Sequence, residues 1–171
     1  MPLEMEFRQH RENTFKEVTC AILTVSEILT PETDLGGKEI LQMLRNGSHS
    51  TPFYKIIKDV PHEIEKALQE LSKYEKLHVI ILTGGTGLSR RDVTFETVER
   101  LLEKKISGFG ELFRFLSFLE IGPAGMISRA TAGVFQGKLV FSLPGSVSAI
   151  RLAMEKLILP EMGHMVWDIL A

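Results

Sequence analysis

One cysteine in 171 residues, Cys20, leaves no partner for an internal disulfide, and its place in an apolar run predicts an inert, buried thiol. No uninterrupted apolar stretch approaches the roughly 20 residues of a membrane span. Charge of either sign is not in excess: 20 Lys and Arg stand against 22 Asp and Glu, for a net −2. Bulk electrostatics therefore give no case for nucleic acid, and the pair Arg90-Arg91 does not make a patch on its own. The five histidines (His10, His49, His62, His78, His164) are scattered without the paired spacing of a zinc site. G-x-x-x-x-G-K-[ST], G-x-G-x-x-G and G-x-S-x-G are all absent, which sets aside a P-loop, the dinucleotide fingerprint and a hydrolase elbow. There is no internal repeat and no low-complexity segment. The opening MPLEMEFRQHRENTFKEV has no apolar core for a signal peptide, so a cytoplasmic protein is expected. What remains, 44% hydrophobic and 25% charged, is ordinary for one soluble globular domain. A chain of this length buries roughly 70% of its unfolded surface.

The stretch that organises the chain is Leu77–Glu96, LHVIILTGGTGLSRRDVTFE. Val79-Ile80-Ile81-Leu82 is a short β-branched run of the kind buried on both faces of a parallel sheet. It gives way to Gly84-Gly85-Thr86-Gly87, where glycine permits positive φ and close approach of a ligand to the main chain. Thr94 then reads as the N-cap of a helix through Val98, Leu101 and Leu102. Strand, glycine loop and helix would place this loop at the carboxyl end of the sheet, where ligands of open α/β sheets bind.

Before and after it, alternation of strands and helices predicts an α/β, three-layer αβα domain over residues 17–171 with a mostly parallel central sheet. Residues 1–16 carry mixed charge with little apolar periodicity and read as a polar arm or a short helix rather than core. Val18–Ser26 and Phe53–Val60 are the expected flanking strands. Gly36–Arg45 and a segment from Pro61 through Leu71 are the expected helices. The second half predicts a helix over Gly108–Leu119 and a short one over Pro123–Ser128. Arg129–Phe135 and Lys138–Leu143, joined by Gln136-Gly137, read as a peripheral β-hairpin. An amphipathic helix opens at Ser146 and is expected to end at Pro160.

Chemistry concentrates at the strand ends. Asp92, beside Arg91 and the glycines, reads either as a turn carboxylate capping the next helix or as a Mg²⁺ ligand held against phosphates. Asp59 ends the strand YKIIKD and reads either as a helix cap or as a second metal ligand. Ser146, after Pro144-Gly145, can offer N–H groups to an anion, although capping alone also explains it.

TGGTGLSRRDVT resembles the signature of the molybdopterin adenylyltransferase (MoaB/MogA-like) family, and the likeness spans about Val18 to Val166. GFGELFRFLS, IGPAGMISRATAG and FSLPGS resemble further blocks of the family, with content nearer its MoaB branch. The resemblance implies adenylyl transfer from ATP to molybdopterin with Mg²⁺, on the way to a molybdenum or tungsten cofactor, in a homotrimer or homohexamer. It implies catalysis and metal holding by Asp59 and Asp92, and phosphate binding by Gly84, Gly85, Thr86, Gly87, Arg91 and Thr94. The pterin side would be Ser117, Ser128, Arg129, Pro144, Gly145 and Ser146, with Glu111 and Arg114 as further candidates and Asp34 near the site. A non-catalytic pterin carrier and a CinA-type nucleotide-cleaving relative are the alternatives. The sequence departs from the family pattern at Glu27 (usually Asp), and at Arg90, Phe95 and Val147 (each usually Pro). These changes bear on loop geometry and affinity more than on the basic chemistry.

Overall fold

The structure, a computed structural model, describes residues 14–171. Most of the expected N-terminal arm lies outside the described residues. At its end, Phe15 packs on its own chain, its N–H donating to Gly163 O at 3.2 Å and its ring lying 5.5 Å from that of His78.

The element order is β1 (Thr19–Val25), α1 (Leu35–Asn46), β2 (Ser50–Ile57), α2 (Pro61–Ser72), β3 (Val79–Thr83), α3 (Thr94–Leu101) and β4 (Lys104–Lys105). There follow α4 (Ser107–Ile121), a 3₁₀ segment (Gly122–Ile127), β5 (Thr131–Phe135), β6 (Lys138–Leu143), α5 (Val147–Ala153), a π turn (Met154–Ile158) and α6 (Leu159–Leu170). The strands form one sheet in the order β2-β1-β3-β6-β5-β4. β2, β1, β3 and β6 run parallel, β5 runs against them, and the short β4 pairs antiparallel with β5 at the edge. The expected three-layer α/β fold is thus present.

Period-2 alternation in the buried strands divides the core into two halves. Cys20, Ile22, Ile81 and Phe141 face α1, α4, α5 and α6, while Leu23, Ile80, Leu82 and Val140 face α2 and α3. Phe113 and Phe141 are among the fully buried side chains, each contributing about 1.5–3 kcal/mol by removal from water.

Three expectations need correction. The hairpin 131–143 forms at Gln136-Gly137, but it is not peripheral, because β6 is a central strand paired in register with β3 (Ile81 opposite Phe141). KLVFSL is buried at every position, which suits it to the sheet interior. Pro160 does not end the C-terminal helix. The π turn precedes it, Leu159 N–H reaching back to Met154 O, so Pro160 falls in the first turn of α6, where its missing N–H is harmless. Thr94 is not an N-cap: Val93 holds that position, and Thr94 is the first residue of α3 and fully buried.

One face is conspicuously apolar. Phe115, Phe118 and Leu119 on α4, with Ile121, Met126 and Ile127 beside them, are all more than half exposed, Met126 by 75%. No helix among the described residues is long and apolar enough to cross a membrane.

Candidate functional site

β1, β2, β3 and β6 all end at one edge of the sheet, so the loops that follow them meet there. The loops after β3 and β6 are joined. Gly84 N–H donates to Leu143 O at 3.0 Å, and Thr83 Oγ1 donates to Pro144 O at 3.0 Å. Gly84 has φ +98°, and a Cβ there would meet Val25 O at 2.5 Å, so this turn needs glycine. Gly145 lies back to back with it, a Cβ at Gly145 falling 3.4 Å from Gly84 Cα.

On one side of this seam opens a cleft of about 370 Å³. Its walls include Gly84 to Gly87, Asp92, Ser117, Ser128, Arg129 and Pro144 to Ser146, together with Glu120, Ile121 and Ile127. Most of the site residues read from the sequence therefore come together in it. Gly85, Thr86, Gly87 and Leu88 share one property: none of their N–H groups finds an acceptor among the described residues. Four successive free N–H groups are a ready nest for an anion. Ser146 caps α5 by accepting from Ala149 N–H at 3.3 Å, and Ser117 donates to Phe113 O at 2.8 Å.

The two aspartates approach the glycine loop from below and beside it. A Cβ at Gly85 would meet Asp59 Oδ2 at 2.6 Å, and one at Gly87 would meet Asp92 Oδ2 at 2.8 Å. Asp59 lies two residues past the end of β2. Its Oδ1 accepts from Val93 N–H at 3.2 Å and Thr94 Oγ1 at 3.4 Å, tying the start of α3 to the end of β2. Burial raises the Asp59 carboxyl above its ordinary pKa, with the Val93 N–H opposing this and the nearby Asp92 charge adding to it. Asp92 does not cap α3. Its N–H donates to Ser89 O at 3.1 Å, and its carboxylate accepts no hydrogen bond from the described residues. No third His, Cys, Asp or Glu joins them as a metal cluster among the described residues. The unbonded Asp92 carboxylate on the cleft wall, with Asp59 near enough for their charges to interact, is a donor set of the kind Mg²⁺ accepts beside phosphate and water.

Other expected residues stand apart. Asp59 and Thr94 lie behind the loop, outside the cleft wall, and Arg91 is exposed in the Ser89–Asp92 turn. Glu111 and Arg114 lie on α4 away from the cleft wall. Arg129 lines the cleft, but its guanidinium turns to the glycine loop, donating to Thr86 O at 2.8 Å and Gly87 O at 2.7 Å.

A second hollow, about 260 Å³, opens on the far side of the Gly84–Gly145 seam between the loop after β1 and α1. Asp34 is buried beside it, its carboxylate accepting from Gly37 N–H at 2.8 Å and Tyr54 Oη at 2.6 Å. Burial, then the Asp34 bond, pushes the Tyr54 phenol up. Thr24 Oγ1, also on this wall, is buried with no hydrogen-bond partner among the described residues. Tyr54 and Thr24 escaped the sequence reading because each sits in an ordinary strand pattern, with nothing local to mark it.

A family profile described as "Probable molybdopterin binding domain" matches residues 21–164. Molybdenum cofactor biosynthesis protein B of Bacillus cereus is 45% identical over 166 residues, covering 96% of this chain and 98% of its own. A crystal structure of a molybdenum cofactor biosynthesis protein B superposes with a TM-score of 0.88 at 47% identity, over 90% of this chain and 96% of that one. The tungsten cofactor synthesizing protein MoaB of Pyrococcus furiosus superposes with a TM-score of 0.80 at 36% identity, over 90% and 98%. By a profile match over most of its length and relatives alike over nearly the whole chain, the chain belongs to the molybdopterin-binding domain family of molybdenum cofactor biosynthesis proteins.

Proposed function

We propose that this protein adenylylates molybdopterin: a terminal phosphate oxygen of the pterin attacks the α-phosphorus of ATP, the Pα–O–Pβ bond breaks, and pyrophosphate leaves. The observation that carries this reading is the run of four unpaired N–H groups from Gly85 to Leu88, flanked by two carboxylates. Gly87 and Leu88 are exposed, so their N–H groups are open to an incoming anion. Little covalent chemistry is required of the protein in such a transfer, so positioning and charge neutralisation dominate.

Gly84 to Gly87 are assigned the phosphates. Asp59 and Asp92 are assigned Mg²⁺, which when bound neutralises phosphate charge. Asp59 also fixes the loop against α3 through Val93 and Thr94. Ser117, Ser128 and the Pro144–Ser146 loop are assigned the pterin side, where Ile121 and Ile127 add apolar wall. Arg91 stands on the exposed turn beside the glycine loop and is assigned to incoming phosphate. The exposed apolar face of α4 and the 3₁₀ segment supports self-association, which the family resemblance sets as a homotrimer or homohexamer. A cytoplasmic setting completes the reading.

The test is pyrophosphate release from Mg-ATP by purified protein with and without molybdopterin. Release that depends on molybdopterin is expected. Asp92→Asn should lose on the order of 100-fold of it with an unchanged melting temperature, since Asp92 caps nothing. Pterin-independent release would replace the proposal with nucleotide cleavage. Tight molybdopterin binding without release would replace it with a carrier.

A further inference from the structure

Arg129 was expected to contact ligand, yet its donors are already committed. Nε donates to Thr86 O at 2.8 Å and Nη2 to Gly87 O at 2.7 Å, while Nη1 and Nη2 reach the Glu96 carboxylate at 2.5 and 3.3 Å. Four of the five guanidinium N–H groups are thereby used. The plane of the guanidinium also lies over the Phe95 ring, 4.7 Å from its centroid. The backbone beneath is fixed as well: Ala130 is buried, and Ser128 N–H closes the 3₁₀ segment on Gly125 O at 3.1 Å.

A trans peptide points its C=O and N–H to opposite sides. With Thr86 O and Gly87 O drawn to the arginine, the N–H groups of Gly87 and Leu88 are held on the other side, where no protein acceptor meets them. Glycine-rich backbone turns over easily, and a flipped peptide would present a carbonyl oxygen to an anion instead of a donor. Only a planar fork spans two successive carbonyls and a carboxylate at once, which lysine's point charge does not.

We propose that Arg129, seated by Glu96 and Phe95, is a positioning residue that locks the Thr86–Gly87 and Gly87–Leu88 peptides in the anion-binding orientation. The proposal rests on the nucleotide reading above for its ligand, but not for its geometry. Glu96 and Phe95 do not line the cleft, and their contacts with Arg129 give them a route to the glycine loop.

The experiment compares wild type, Arg129→Lys, Glu96→Gln and Phe95→Leu. It reads ¹⁵N order parameters of Gly87 and Leu88 in the free protein, Mg-ATP affinity by titration, and KM for each substrate. In Arg129→Lys the order parameters of both amides should fall from about 0.85 toward 0.6. Mg-ATP affinity should fall about 10-fold, with KM for ATP rising, KM for molybdopterin unchanged and melting temperature held. Glu96→Gln and Phe95→Leu should shift affinity the same way by about 3-fold, and Glu96→Gln added to Arg129→Lys should add little. If Arg129→Lys loses affinity while the loop stays rigid and both seat variants bind normally, Arg129 is a direct ligand contact and the proposal is overturned. An unchanged Arg129→Lys overturns it too. Absence of pterin-dependent transfer in wild type, with the loop responding as described, removes the adenylylation reading and leaves this one standing.

Discussion

At Asp59 a carboxylate is held near a second negative charge, Asp92, partly buried, with one oxygen bonded to the start of α3 and the other against Gly85. Its raised folded pKa means that the native state takes up this proton more readily than the unfolded chain does. The stability it confers is therefore complete below the unfolded carboxylate range and is lost as pH rises through the folded value. At neutral pH the ligand-free protein carries a destabilising charge. Asp59→Asn keeps an oxygen for Val93 and Thr94 and removes that charge, so its melting temperature should exceed that of wild type at pH 7, with the gap closing toward pH 4. A variant that melts below wild type at pH 7 would refute this account. Mg²⁺ with pyrophosphate should raise the wild-type melting temperature and act less on Asp59→Asn. The places of Asp59 after a strand and Asp92 after the glycine turn were legible in the sequence because both are local patterns. The partners of Arg129 were not, since Glu96, Thr86 and Gly87 stand 33, 43 and 42 residues away. Thr94 misled for a related reason: a threonine before a periodic apolar stretch has the statistics of an N-cap, but burial and Asp59 claim its hydroxyl.

Among the elements, β1, β2, β3 and the helices between them could be read from period and punctuation alone, because βα alternation writes each boundary into neighbouring residues. Where β6 would pair could not. KLVFSL reads as a hairpin arm next to its turn, and only the distant β3 draws it into the sheet interior. The π turn was likewise hidden, since a proline within a helical pattern usually signals an end. One extra residue in Met154–Ile158 is what lets Pro160 fall in a first turn. Deleting exposed Lys156 should convert the π turn to α-helix, keep Met162 and Val166 on the sheet, and place Pro160 in a helix interior. The expected loss is about 3 kcal/mol, most of it recovered when Pro160→Ala is added. Denaturant titration of the two variants checks the pair, and equal stabilities would break the link between the turn and the proline.

For the molecule as a whole, the apolar face of α4 and the 3₁₀ segment stays exposed among the described residues. If it joins copies, light scattering at micromolar protein should give a trimer or hexamer for wild type, and Phe115→Asp with Phe118→Asp should give monomer that still binds Mg-ATP. A wild-type monomer, or an assembly indifferent to both changes, would remove this face from the interface. The lone thiol offers a way to follow such changes. Cys20 lies within β1, fully buried between β2 and β3, and burial pushes its pKa up to about 12. An alkylating reagent has no thiolate to attack until the sheet itself comes apart, so the rate of labelling becomes a clock for global opening. The same silence frees the rest of the surface: a reporter cysteine set on the exposed Ser89–Asp92 turn can carry a dye in the otherwise unaltered chain, with Cys20 left in place.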